Sequence, residues 1–336
     1  MAGTARSGRV TIVDVARRAG TSVSSASVAL RGEPGVSDGT RARILRTADE
    51  LGYRPDQRAR MLREHRSRLL GVTYGVTAAF HAQVVEHLYR AAAEAGHDLV
   101  LSATTPDRLA AVAVESLLQD RCAALVLISP ELDAHELEVL SRRVPVVLIG
   151  SELRAESVDS VHADDRLGVA LAVGHLVAAG HRDIHYVDGG RAVLSDTRRE
   201  GYLGAMATHG LTGHARVLTG GADEEAGVAA AGALLARPTT PTAVLAHNDA
   251  TAFGLLLTLR AQGVDVPGRI SVVGYDDTRL AALRTIDLTS VSQDPATLAA
   301  VAIRSAIARA EGRPGPGTEH VVPPLLVPRS SSGPPG

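Results

Sequence analysis

From Leu69 onward the chain repeats one pattern: a short unbroken apolar run, then an alanine-rich stretch with helical spacing. The runs are LLGVTY, DLVLSA, AALVLIS, VPVVLIG, IHYVDG, TAVLAHND and RISVVGYDD, with segments such as HAQVVEHLYRAAAEAG and RLGVALAVGHLVAAG between them. Strands that are apolar throughout must be covered on both faces, the condition of a parallel sheet flanked by crossover helices. Spread over residues 69–329, the pattern predicts an α/β core of two doubly wound parallel-sheet subdomains. Such sheets bind ligands beyond the carboxyl ends of their strands. Polar residues collect there: Asp164 and Asp165 after DSVHA, Asn248 and Asp249 after AVLAH, Asp276 and Asp277 after SVVGY. On spacing alone these read as helix caps, and Arg198 in DTRRE as one of several surface arginines. An arginine and three Asp/Asn converging on one cleft favour a site instead. Guanidinium donors opposite carboxylates suit vicinal hydroxyls or a small carboxylate.

The first 68 residues differ in kind. They hold 14 arginines against 7 acids, while the remainder holds 21 against 30, so a basic head sits on an acidic body and points to a polyanion partner for the head alone. Thr11 and Asp14 form a capping-box pattern that opens a helix through Val15, Ala16 and Ala19, stopped by Gly20. Ser22 caps a second helix to about Leu30, which makes a helix-turn-helix. Ala26, Ala29 and Leu30 recur at inward spacing, leaving Val23, Ser24, Ser25, Ser27 and Val28 outside. Side chains that small let a helix lie close to base edges and phosphates, although an ordinary helical pair fits the same pattern. A third helix starts at Ser37 with Ile44, Leu45, Ala48 and Leu51 as its stripe, Arg41, Arg43 and Arg46 outward, and Gly52 as its stop. Residues 53–63, YRPDQRARMLR, make a helix too short to stand alone, one that orders only against a partner.

Composition removes several classes. With no lysine there is no GK[ST] phosphate loop, pyridoxal Schiff base or kinase lysine. His135-Glu136 lacks a second histidine, His181 and His185 lie in a loop entering a strand, and GxSxG is absent, so no enzyme, metal or cofactor is expected. The single Cys122, in CAALVLIS, reads as buried and inert. No stretch is long enough to span a membrane, and the basic N-terminus has no apolar segment of a signal peptide, so a cytoplasmic location is expected.

The stretch from Val10 to about Leu70, VTIVDVARRAGTSVSSASVALRGEPGVSDGTRARILRTADELGYRPDQRARMLR and the residues after it, resembles the DNA-binding head of the LacI/GalR repressor family. VDSVHADDRLG, RREGYLGAM, AVLAHNDATAFG and ISVVGYDDTRLAAL resemble that family's periplasmic-binding-protein-like core, so the likeness runs to about residue 329. It implies a transcriptional regulator, foremost a repressor, acting as a homodimer on double-stranded operator DNA under control of a small-molecule effector. It further implies DNA contacts from Thr11, Ser22, Val23, Ser24, Ser25, Ser27, Val28, Arg31 and Tyr53. The hinge helix, 56–63, would contribute Arg58, Ala59 and the minor-groove wedge Leu62. Phe80, Asp164, Arg198, Asn248, Asp276 and Gln293 fall where members hold their effector. Two positions depart from the family: Val28 stands where many members carry an arginine, and Arg31 replaces a usual asparagine. Valine could meet a thymine methyl but cannot make a bidentate bond to guanine.

The domain reading is therefore a disordered tail at 1–9, a helix-turn-helix domain at 10–55, hinge and linker at 56–68, a core at 69–329 and a disordered tail at 330–336. For the effector a sugar or sugar derivative comes first, with a purine or other small metabolite left open, since the chain has no tryptophan and only two phenylalanines. The rival reading is a solute-binding protein or a sugar-modifying enzyme that shares only the body's fold.

Overall fold

The computed structural model describes residues 10–30, 32–53 and 67–336. The expectations for the 1–9 tail, Arg31 and the hinge with Arg58, Ala59 and Leu62 lie outside the described residues. The chain divides into two units at Ser67/Arg68.

Among its described residues the first unit holds three helices: α1 (Ile12–Arg18), α2 (Val23–Leu30) and α3 (Asp38–Glu50). The Thr11/Asp14 capping box opens α1, and Gly20 turns the chain at φ +60°, a conformation disfavoured for residues with a Cβ. Ser22 Oγ then accepts the Ser25 N–H at 3.0 Å. A core of small residues, Val15, Ala16, Ala19, Ala26, Ala29, Ile44 and Ala48, allows the three helices to approach closely. The predicted stripe of α3 needs one correction. Leu45 is 44% exposed, and Thr47 is buried in its stead with its hydroxyl returned to the Arg43 carbonyl. Arg41 and Arg43 are likewise less free than their spacing implied. Their guanidinium groups donate to the Ala29 and Ala19 carbonyls and so close the ends of α2 and α1.

The second unit contains the two predicted sheets. In the first subdomain β1 (Leu69–Gly75), β2 (Asp98–Thr104), β3 (Ala124–Ile128), β4 (Val146–Ile149), β5 (Asp159–Ala163) and β11 (Glu319–Val322) pair in the order β11-β5-β4-β3-β1-β2, all parallel. α4 (Ala79–Glu94) and α11 (Pro295–Ala310) cover one face. α5 (Ala110–Gln119) and α6 (Ala134–Ser141) cover the other. In the second subdomain β6 (Ile184–Val187), β7 (Arg216–Leu218), β8 (Ala243–Ala246), β9 (Ser271–Tyr275), β10 (Thr289–Ser292) and β12 (Leu325–Val327) pair as β12-β10-β9-β8-β6-β7, with only β12 antiparallel. Here α7 (Asp165–Ala178) and α8 (Ser195–Thr208) lie on one face, and α9 (Glu224–Leu235) and α10 (Asp249–Ala261) on the other.

The chain passes between the subdomains three times: after β5, after β10 and after β11. The returning α11 is pinned to the first sheet by the buried Asp159 carboxylate. It accepts from Arg309 at 2.7 and 3.1 Å and from Arg313 at 2.8 Å. α9 and α10 touch backbone to backbone. A Cβ on Gly227 would stand 2.1 Å from the Thr251 carbonyl oxygen, and one on Gly254 would stand 1.9 Å from that of Glu224.

The C-terminal segment contradicts the expectation of a disordered tail at 330–336. Ser331 is 0% exposed. Its hydroxyl donates to the Val272 carbonyl at 2.6 Å and accepts the Thr289 N–H at 2.8 Å, and its carbonyl accepts the Val272 N–H. His175 bonds Ser332 and His181 bonds the Gly333 carbonyl. Polar, glycine-rich composition looked like disorder, but here the hydroxyls satisfy backbone groups at the starts of β9 and β10. Removing residues 330–336 is expected to destabilise the core by about 3 kcal/mol or more, since each lost bond contributes roughly 0.5–1.5 kcal/mol. An unchanged urea midpoint for the truncated chain would show the tail to be dispensable.

Candidate functional site

In the first unit α2 is the candidate DNA-facing element. Ser24 is exposed, Ser27 and Val28 are half-buried, and Ala26 and Ala29 form the inner face. Val23 and Tyr53 are only partly outward, since both pack against the head's core. Ser22 and Ser25 spend their hydroxyls partly on each other, at 2.9 Å, and Thr11 gives its own to Asp14. Arg17, Arg18 and Arg46 stay exposed. The head thus presents one helix face of small side chains with exposed guanidinium groups on its neighbouring helices.

In the second unit a cavity of about 360 Å³ lies between the subdomains. Five of the six predicted effector residues line it: Phe80, Arg198, Asn248, Asp276 and Gln293. Asp164 is not among the lining residues. It caps α7 by accepting the Leu167 N–H at 2.9 Å, while its neighbour Asp165, 1% exposed and also not lining the cavity, pairs with Arg198. Arg198 is 5% exposed. Its Nε donates to Asp165 Oδ1 at 2.6 Å, its Nη1 donates to the His247 carbonyl at 2.7 Å, and its plane lies 3.8 Å from the centre of the Tyr275 ring. Nη2 stands 3.9 Å from Asp276 Oδ1, which accepts Gln293 Nε2 at 2.7 Å. Gln293 Oε1, itself buried, has no partner among the described residues. Burial works against the Arg198 charge, but Asp165, Tyr275 and Asp276 more than offset it, and the guanidinium is held protonated.

Two of the predicted residues do structural work as well. Asn248 caps α10 through Thr251 and donates to the Ala222 carbonyl, tying together the two helix starts that the Gly227–Gly254 contact brings side by side. Asp276 and Asp277 were open to a reading as helix caps, yet no helix follows them. They turn the chain at φ +110° and +50°. Asp249 holds this loop from below, accepting Thr278 N at 2.7 Å and Ser290 Oγ at 2.6 Å. The subdomains also touch at two places around the cavity. Gln83 donates to the Asp277 carbonyl with Glu86 near Arg279, and Glu152 accepts from Thr197 and Arg166.

Sequence reasoning missed His81, Ser129, Glu131, Asp223, Glu224, His247 and Thr278 on the cavity wall. Most follow a strand or open a helix, so the rule that found Asp276 applies to them also. α4 begins at the cavity with no side-chain cap, which leaves first-turn N–H donors there. His81 Nδ1 accepts the Gly75 N–H, and burial pushes its pKa down to about 4, so it is a neutral ring. The start of α4 therefore offers backbone donors and Asp276 offers an acceptor from the other subdomain, a lining suited to hydroxyl groups, which need both.

Burial, opposed by Arg198 and reinforced by Asp249, raises the Asp276 pKa to about 7. A carboxyl raised in the folded state gives stability that is complete below its unfolded pKa and lost as pH rises through the folded one. Asp276 is thus expected to contribute a loss of stability between pH 5 and pH 8, opposite in sign to the lowered His81 and His247, and Asp276→Asn should remove that contribution from the slope of melting temperature against pH. Equal slopes in the two proteins would remove Asp276 as its source.

A helical head with one helix face of small side chains, followed in the chain by a two-lobed core with a polar cavity between the lobes, is the architecture of a DNA-binding regulator. A family profile described as "Bacterial regulatory proteins, lacI family" matches residues 11–56, and one for a periplasmic binding protein-like domain matches residues 173–332. The HTH-type transcriptional regulator GalR of Escherichia coli is 33% identical over 96% of this chain and 95% of its own. A LacI transcriptional regulator from a Rhodococcus species is 42% identical, with a TM-score of 0.77 over 79% of this chain and 98% of that one. The lac repressor dimer bound to operator and the anti-inducer ONPF is 26% identical, with a TM-score of 0.81 over 97% and 100%. The chain belongs to the LacI family of DNA-binding transcriptional regulators. Its relatives are regulators rather than enzymes. Among the described residues no helix is long and apolar enough to cross a membrane.

Proposed function

We propose that this regulator is a cytoplasmic repressor that binds a pseudo-palindromic operator as a homodimer and releases or grips it according to a sugar-like effector in the core cavity. The observation that carries the reading is the Arg198–Asp276–Gln293 cluster set against Phe80 and the uncapped start of α4, so that each lobe contributes one wall. A ligand touching both walls favours one lobe arrangement, and it shifts the equilibrium only by its difference in affinity for the two states. The contacts of Gln83 with Asp277 and of Glu152 with Thr197 are the ones that would remake as the lobes turn. In the head, Val23, Ser24 and Val28 read bases while Ser22 and Ser27 touch phosphate. Residues 10–55 form the DNA-binding domain, and residues 56–68 the hinge through which the core acts, with Leu62 as its wedge. The relatives support this reading through the operator-bound lac repressor dimer. Footprinting on the protein's own promoter region, with and without a sugar panel, tests it. A protected two-half-site footprint that one sugar weakens or strengthens is expected. Protection indifferent to every compound, with none binding the core by calorimetry, would remove effector control.

A further inference from the structure

His247 is the first residue after β8, as Asp276 is after the neighbouring strand β9, and both line the cavity. The residue is 4% exposed and is held on three sides. Its carbonyl accepts Arg198 Nη1 at 2.7 Å. The Gly189 backbone packs against its ring, where a Cβ would stand 2.6 Å from Nδ1. Nδ1 itself meets the hydroxyl of Tyr186 at 3.4 Å.

That last contact decides which nitrogen carries the ring's hydrogen. Tyr186 is fully buried, and burial pushes its hydroxyl pKa up from the ordinary range, so the phenol keeps its proton. Among the described residues His247 Nδ1 is the only partner of that hydroxyl. The phenol therefore donates to Nδ1, because the opposite arrangement would leave a buried O–H with no acceptor. A neutral imidazole that accepts at one nitrogen has its N–H at the other. The ring is neutral: burial, reinforced by the charge of Arg198, holds the His247 pKa well below its ordinary value. Nε2 then carries the hydrogen, and among the described residues it has no hydrogen-bond partner. Unlike Gln293 Oε1 it is not sealed in, so it reaches the surface of the cavity that the residue lines. A donor fixed on every side but one loses little freedom when a ligand takes it up.

We propose that His247 is an effector-binding residue whose Nε2–H donates to an oxygen of the bound molecule, with Tyr186 as the positioning residue that fixes the tautomer. The inference rests on the cavity being the effector site, and it narrows the ligand. Asp276 offers an acceptor and His247, at the next strand end, offers a donor. The effector therefore presents an oxygen lone pair beside a hydroxyl hydrogen, as neighbouring hydroxyl groups of a hexose do. An ammonium or guanidinium group in that place would set one donor against another.

The test uses the full-length protein with D-glucose, D-galactose and their monodeoxy analogues, measured by calorimetry. At one hydroxyl position the deoxy analogue should bind the parent about three- to tenfold more weakly than the intact sugar, the worth of one hydrogen bond. In the His247→Phe/Tyr186→Phe protein, which strands no phenol, the same two probes should bind within about twofold of each other. His247→Gln, which returns an N–H to the cavity, should restore part of the difference. Nitrogen NMR of the parent with labelled histidine needs no variant to fold. Nε2 should carry the proton without sugar, its resonance should shift on saturation, and Tyr186→Phe should mix the tautomers. A proton on Nδ1 in the parent, an Nε2 resonance indifferent to a bound sugar, or deoxy losses equal in parent and double variant at every position would each overturn the role of His247 and leave the effector site standing. If neither hexose binds, the sugar reading and this one fall together.

Discussion

Arg198→Ala is expected to lower the stability of the core by about 3–5 kcal/mol, beyond any effect on ligand response. In the sequence Arg198 reads as a group held out to a ligand. In the structure it is also, among the described residues, the only cation paired with Asp165, a carboxylate 1% exposed, and it satisfies the His247 carbonyl. Removing it leaves a buried carboxylate without its partner, which costs far more than a surface ion pair is worth. The result to look for is a large fall in the urea midpoint without ligand. Asp165→Asn added to Arg198→Ala should recover much of the loss, because the stranded charge is then gone. A single variant within about 1 kcal/mol of the parent would mean that the pair contributes little to folding, leaving Arg198 as a ligand contact only. Asp276→Ala makes the contrast. It removes a carboxyl whose ionisation burial already opposes, so its effect should fall mainly on ligand affinity.

The fragment 68–336 is expected to fold, to keep its ligand affinity, and to lose operator binding by at least about 10³-fold, the usual gap between specific and non-specific association. The division of the chain at Ser67/Arg68 motivates it, together with the distribution of charge: the first 68 residues carry a surplus of seven arginines over acids, and the rest a surplus of acids. Each unit has its own buried core. Fluorescence anisotropy with labelled operator measures the loss, and calorimetry measures what is retained. Residual operator affinity within tenfold of the full chain would place DNA contacts on the acidic body and overturn the assignment of the head.

The strands rich in valine, leucine and isoleucine were legible because nothing but double-sided burial explains an unbroken apolar run. The polar ones were fainter. DSVHA and TSVS form the buried strands β5 and β10, and although Asp164 was placed beyond the end of DSVHA, neither is an unbroken apolar run. Their polarity is neutralised by partners far along the chain, Asp159 by Arg309 and Arg313, and Thr289 by Ser331. No local window contains those pairs. The same distance hid the order of the tail.

At the cavity the sequence located the strand ends but did not say which of two neighbours turns inward. Asp164 and Asp165 are adjacent and chemically identical. Only the start of α7 decides between them, turning the first into a cap and the second inward to Arg198. Asp223 and Glu224 were legible in principle, since ADEE opens a helix at the cavity. In the head the small outer face of α2 was read directly. The internal use of Arg41 and Arg43 was not, because a guanidinium that caps a neighbouring helix has the same spacing as one that faces solvent.

The three passages between the subdomains bear on how the molecule is made. The first subdomain is not a continuous stretch of chain: its sheet lacks β11, and one of its faces lacks α11, until residues 295–322 have been synthesised. While a ribosome translates the second lobe, the first therefore waits with Val84, Leu88 and their neighbours partly uncovered. The head needs nothing downstream of its own helices and can form early. A nascent regulator should thus acquire its DNA-binding fold before the sensing core is complete. Misfolding and chaperone capture should concentrate in the interval between the emergence of β5 and of β11.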